Sequence, residues 1–162
     1  RAFHRHGIAV MGGFIVGNDH ESPEYYREFA RFLLHSGVDM IQITILTPLP
    51  GTRLFDEMKA AGRLIHTAFP GDWRKYRFSW LVHRPLGVSE EDLYRGHNYL
   101  KARLYSPVAF AYRMVRSALS LRNPVAFAVV YRFNLALSKS WRNSYYYSHY
   151  PRELATQGAR GD

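Results

Sequence analysis

The 162-residue sequence predicts an α/β fold, with one parallel strand–helix–strand unit near its start and a mainly helical C-terminal extension. Three observations carry this. Two apolar runs, 7–17 (GIAVMGGFIVG) and 38–47 (VDMIQITILT), flank a stretch with helix punctuation, and that order demands a crossover between parallel strands. Beyond residue 88 start signals introduce three helices in succession and no strand. The charge divides at the same point: residues 1–100 hold 12 Lys/Arg against 11 Asp/Glu, whereas residues 101–162 hold 10 against 2, or +8 of the total +9.

Taken in order, FHRHGI (3–8) reads as a helix end closed by Gly7 and followed by the first strand. The helix over 22–37 has Ser22 to cap it, Pro23 in its first turn, Glu24 and Glu28 near its positive end and Gly37 to stop it. Tyr25, Phe29, Phe32 and Leu33 recur at helical spacing. From Gly7 to Gly37 is 30 residues, one β/α repeat, so the chain is expected to start within a repeat whose earlier strands lie upstream in a longer polypeptide. After the second strand come a TPLPGT loop (47–52), a helix over 53–64, and an irregular 65–87 with a short strand at RFSWLVH (77–83). Ser89 and Asp92 resemble a capping box opening a helix over 89–105, and helices near 107–121 and 124–140 follow, split at RNP. The organisation expected is 1–64, 65–106, a basic aromatic extension over 107–150, and a disordered 151–162.

The composition excludes several chemistries. Without cysteine there is no disulfide, thiolate metal site or Cys nucleophile. The longest apolar runs, such as PVAFAVVY (124–131), fall far short of the roughly 20 residues that span a bilayer. No signal-peptide pattern is visible, and a cytoplasmic setting is expected.

Side chains alternate along strands, so each strand has two faces. Ile8, Val10, Phe14 and Val16 make one bulky face, and Ile41, Ile43 and Ile45 another; both belong under helices. The opposite faces carry Ala9, Met11, Gly13, Ile15 and Gly17, and Met40, Gln42, Thr44 and Leu46. Missing side chains beside polar ones mark either a close ligand approach at the carboxyl ends of the strands or tight packing.

GGFIVGNDHESPE, one β/α unit before ITILTPLPGTRLFDEMKAAGRL, resembles the late strands of the radical S-adenosylmethionine (SAM) barrel, particularly its cobalamin-binding class. There the fifth strand carries G-x-I-x-G-x-x-E and the sixth leads into T-P-x-P-G-T. Gly13, Ile15 and Gly17 match the first pattern, while Glu21 arrives one residue late. The resemblance covers roughly residues 1–106 and implies a fragment of a partial parallel β/α (TIM-like) barrel. It implies cofactor contacts at Gly13, Ile15, Gly17, Gln42, Thr44, Ile45 and Leu46, those of the second strand mainly through backbone. It implies SAM as cofactor, with a [4Fe–4S] cluster and cobalamin held only by the parent protein, since the three-cysteine cluster motif is not in this chain. The expected partners are the upstream remainder of the polypeptide and a small-molecule substrate.

No catalytic residue and no metal ligand is assigned. His4 and His6 read as exposed basic residues, and Asp19, His20 and Glu21 as a solvated turn. Trp73, Tyr76, Phe78 and Trp80 read as a cover over the barrel before a substrate pocket. For the tail, with Tyr112, Arg113, Arg116, Arg122, Tyr131, Arg132, Phe133, Trp141, Arg142 and Tyr145 to Tyr147, packing against the missing domain comes first. Peripheral contact with an anionic membrane comes second and nucleic acid third. The expected function is the C-terminal part of a radical SAM enzyme, inactive alone, acting on a hydrophobic substrate by methylation or cyclisation. The alternative is a non-catalytic α/β module whose basic tail binds a membrane or nucleic acid.

Overall fold

The computed structural model describes residues 2–142, with side chains to residue 139. The expected order of elements is present. A short α1 (Ala2–Arg5) precedes β1 (Met11–Val16), α2 (Pro23–His35), β2 (Met40–Ile45) and α3 (Arg53–Ala60). A 3-10 turn (Gly71–Lys75) interrupts the irregular stretch, and α4 (Glu90–Leu104), α5 (Pro107–Leu121) and α6 (Pro124–Arg142) complete it. Caps explain the helix starts: Ser22 accepts from Tyr25 N, Thr52 from Phe55 N, Ser89 from Asp92 N and Ser106 from Ala109 N. The Asp92 carboxylate takes its bond from the Ser89 hydroxyl at 2.7 Å, so the predicted box closes through side chains.

β1 and β2 pair in parallel, with Gly13 beside Gln42 and Ile15 beside Thr44. Phe14, Val16, Ile41, Ile43 and Ile45 lie under α2 and α4 in one core with Tyr26, Leu33, Leu93 and Leu100. Gly96 lets α4 close on α2, since a Cβ there would sit 2.4 Å from the Tyr26 ring. The outer edge of β2 is occupied: the Tyr105 hydroxyl donates to Ile41 O at 2.7 Å and Ile45 N donates to Phe78 O at 2.6 Å. Among the described residues no strand pairs with the outer edge of β1. Among the described residues the edge of β1 is therefore the barer of the two.

Of the four apolar positions expected on the packed face of α2, Leu33 is buried and Tyr25 and Phe29 pack partly on the core, and only Phe32 departs. Tyr26, Ala30 and Leu33 are the buried positions, whereas Phe32 is exposed and stacks beside Phe29, which stacks on Tyr25. The strand expected within 77–83 is reduced to an isolated antiparallel bridge, Leu64 with His83. There Ile65 N donates to Val82 O and Arg84 N to Arg63 O, too short a run to build a ladder.

The α5–α6 pair packs on the start of β2 through a second core of Met40, Met114, Leu121 and Val130. Met40, placed by alternation on the open face, is covered there. Asp39 is the anchor of this end. Its fully buried carboxylate accepts from Val10 N at 2.8 Å, Ser117 Oγ at 2.6 Å and His4 Nε2 at 2.8 Å, while its carbonyl accepts from Asn134 Nδ2 at 2.9 Å. His4 is thus a structural partner, not the exposed basic residue expected; His6 is exposed. Arg113, one of the basic residues of the extension, is fully buried, donates through Nε to Asn134 Oδ1 and lies over the Tyr105 ring. Burial pushes its guanidinium down to about 10.

Candidate functional site on the open face of the strand pair

The uncovered side of the sheet carries Met11, Gly13, Ile15, Gln42 and Thr44. Ile15 is 52% exposed, although a β-branched apolar residue in mid-strand ordinarily packs inward. A Cβ built on Gly13 would meet no atom within 4 Å, so this glycine borders open space. Thr44 Oγ1 donates to Phe14 O at 3.3 Å, which ties its side chain across to β1. Gln42 stands exposed beside Gly13. The result is a shallow apolar strip with an amide on its flank.

The other three sequence-predicted positions lie at the strand ends, and for Ile45 and Leu46 the expected contact was mainly through backbone. Gly17 is buried with φ +98, and a Cβ there would meet Leu93 Cδ1 at 3.1 Å and His83 Cε1 at 3.8 Å, so its missing side chain serves the turn and the core, not the open face. Ile45 is fully buried with its N–H taken by Phe78. Leu46 is half-buried, and its N–H donates to Val16 O at 2.8 Å, continuing the ladder. The structure brings Gly13, Ile15, Gln42 and Thr44 together, and keeps Gly17, Ile45 and Leu46 as backbone at the strand ends.

Two groups that hold those ends were missed in the sequence. Glu21, expected in a solvated turn, is buried and accepts from Gly17 N at 2.8 Å, Asn18 N at 3.1 Å and the Tyr26 hydroxyl at 2.8 Å. Burial first, and then the Glu21 carboxylate, push the Tyr26 phenol well above its ordinary value. His83, from the irregular stretch, is fully buried, and its Nε2 donates to Gly17 O at 3.1 Å. Burial holds its pKa below the ordinary 6.5, which keeps the ring neutral at pH 7. The extra residue before Glu21 was its only visible signal; His83 had none, because its partner is 66 residues away.

Asp19 is paired with Arg63, whose Nη1 donates to Oδ2 at 3.0 Å, and it also accepts from Leu86 N, so the turn after β1 is stitched to the irregular stretch. His20 is exposed. The aromatic cover divides: Trp73 and Tyr76 cluster with Phe55 and Phe69 over α3, Trp80 packs on the main core, and Phe78 is exposed. Among the described residues no three His, Asp or Glu side chains gather at metal-binding geometry.

Comparison with curated proteins places this geometry in a lineage. The chain is 32% identical over 111 residues, 68% of its length, to the bacteriochlorophyllide d C-12(1)-methyltransferase of Chlorobaculum tepidum, of which this covers 23%. It is 35% identical over 66 residues, 41% of its length, to the hopanoid C-2 methylase of Rhodopseudomonas palustris, covering 12% of it. The chain belongs with the cobalamin-binding radical SAM methyltransferases. An uncharacterised methyltransferase of Pyrococcus horikoshii shares 39% identity over 70 residues, 43% of this chain and 14% of that protein. The chain therefore spans less than a quarter of the length of these methyltransferases. No family model and no solved structure matches it.

Proposed function

We propose that the chain supplies the last two strands of the SAM-binding barrel in a longer methyltransferase of this family, with Gly13, Ile15, Gln42 and Thr44 facing the adenosyl end of SAM. The observation that supports it is the open space at Gly13 between exposed Met11 and Ile15. An adenine ring fits such a strip: its apolar face can lie on Ile15 and the bare Gly13 backbone, and the Gln42 amide offers both a donor and an acceptor to its polar edge. Glu21 and His83 hold the Gly17 backbone at the carboxyl end of β1, where ligands of parallel sheets bind.

SAM, when bound, would supply the methyl group or adenosyl radical of the reaction, with the reducing electron delivered by a thiolate-held cluster. This chain has no cysteine to hold that cluster. Its own share is to bind and orient the adenosyl group and to cover the end of the sheet beyond β2 with the 65–87 stretch. By itself it is inactive. The substrate class we infer is lipophilic, in keeping with the bacteriochlorophyllide and hopanoid named for the relatives.

Gly13→Val in the longer polypeptide tests the site. With no atom within 4 Å of the new Cβ, the melting temperature stays unchanged, while SAM affinity by equilibrium dialysis falls about ten-fold or more as the branches fill the strip. Unchanged SAM affinity in a folded variant refutes the assignment. The chain alone, supplied with iron, sulfide and SAM, should release no 5′-deoxyadenosine.

A further inference from the structure

The outward face of α5 is apolar where a solvated helix would be charged. Val108, Val115 and Leu119 are 76%, 61% and 74% exposed, and Tyr112 lies in line with them at spacings of four, three and four residues. Arg113 and Ser117 turn inward, and the Arg116 guanidinium lies over the Tyr112 ring, 5.9 Å from its centroid. Arg116 also donates to the carbonyls of Leu34 and Val38 at the end of α2. Between Pro107 and Arg142 there are six Lys/Arg and no Asp/Glu. Of these, Arg122, Arg132 and Lys139 are exposed, at the end of α5 and along α6.

We propose that the outer face of α5 docks on an anionic membrane surface, with Val108, Tyr112, Val115 and Leu119 entering the headgroup layer and Arg122, Arg132 and Lys139 meeting acidic headgroups. An apolar helix face on a helix pair that carries exposed cations and no anion suits an interfacial helix. A nucleic-acid surface would place its cations in the centre of contact, and here they are turned inward or lie to the side. A second copy would bring two like-charged surfaces together. This face of α5 is the one opposite its packing on the start of β2. No helix among the described residues is long and apolar enough to cross a membrane, so the contact is with one leaflet. The tail aromatics Trp141 and Tyr145 to Tyr147, expected to share in such contact, fall outside the residues whose side chains are described.

The full chain is mixed with phosphatidylglycerol–phosphatidylcholine vesicles, with phosphatidylcholine vesicles and with single-stranded RNA at rising salt. Binding to the anionic vesicles is expected, and salt should weaken it by about five-fold for each cation screened from its headgroup. Val115→Glu with Leu119→Glu should cut it about ten-fold or more with an unchanged circular-dichroism melt, because both positions are exposed. The absence of cysteine allows a direct readout: a polarity-sensitive dye on Val115→Cys should shift to the blue on anionic vesicles, and one on Lys59→Cys in α3 should not. The proposal is overturned by no vesicle binding at low salt, by binding indifferent to phosphatidylglycerol, by a silent dye at position 115, by tighter RNA binding, or by a dimer that the Glu variant dissociates.

Discussion

The two ends of the strand pair are each held by one buried carboxylate, and they differ in how far the chain must travel to build it. At the carboxyl end Glu21 gathers Gly17 N, Asn18 N and the Tyr26 hydroxyl from three to five residues away. At the amino end Asp39 gathers Val10 N, His4, Ser117 and Asn134 from 29, 35, 78 and 95 residues away. Both arrangements satisfy the same rule, that a buried carboxylate needs charge-assisted donors on its oxygens. The Glu21 end is a local turn serving the proposed ligand face. The Asp39 end is a junction where α1, both strands, α5 and α6 meet, and it attaches the helical extension to the sheet.

The largest effect should come from Asp39→Ala. It strands the part-buried Val10 N–H and the buried Ser117 hydroxyl, and a loss of about 3–5 kcal/mol in chemical denaturation is expected, with α5 and α6 losing hydrogen-exchange protection together. A loss confined to His4 and β1 would show that the junction is not shared. Glu21→Gln should cost about 1.5–3 kcal/mol, because an amide nitrogen then opposes a row of donors. Exchange should quicken over residues 17–26 and leave α5–α6 protected. If both substitutions loosen the same amides, the two ends are one cooperative unit and the contrast fails.

The remaining effect is of pH. Burial depresses the folded pKa of His83 and that of His97 below 6.5, so the unfolded chain binds more protons in the window from about 6.5 down to those depressed values. Stability is therefore fully present above about pH 7 and falls with acidification, by at most about 1.4 kcal/mol per pH unit for each ring. Melting temperatures between about pH 8 and 5 check this, and His83→Gln should flatten part of the slope. Because His83 holds Gly17 O, acid should loosen that end before the Asp39 junction. A slope unaffected by His83→Gln would place the whole titration on His97.

Local chemistry made much of the fold legible. Alternation separated the core-facing Phe14, Val16, Ile41, Ile43 and Ile45 from the open Gly13, Ile15 and Gln42, though Ile8, assigned to the same packed face, is 51% exposed; Ser22 and Ser89 marked helix starts that the structure retains. These depend on residues two to four apart, whose relation is set once the backbone adopts a strand or a helix. Tertiary structure alone decided that Gly17 turns into the core against Leu93, that His83 lies beneath it, that Asp39 rather than a surface charge secures His4, and that Arg113 is buried while Val115 and Leu119 face outward. Nothing in an apolar position or a basic residue says which helix face finds the sheet. That is settled by which long-range donors reach a residue that water no longer serves: the Asp39 carboxylate meets Ser117, and its carbonyl meets Asn134, only after the chain has folded back 78 and 95 residues upon itself.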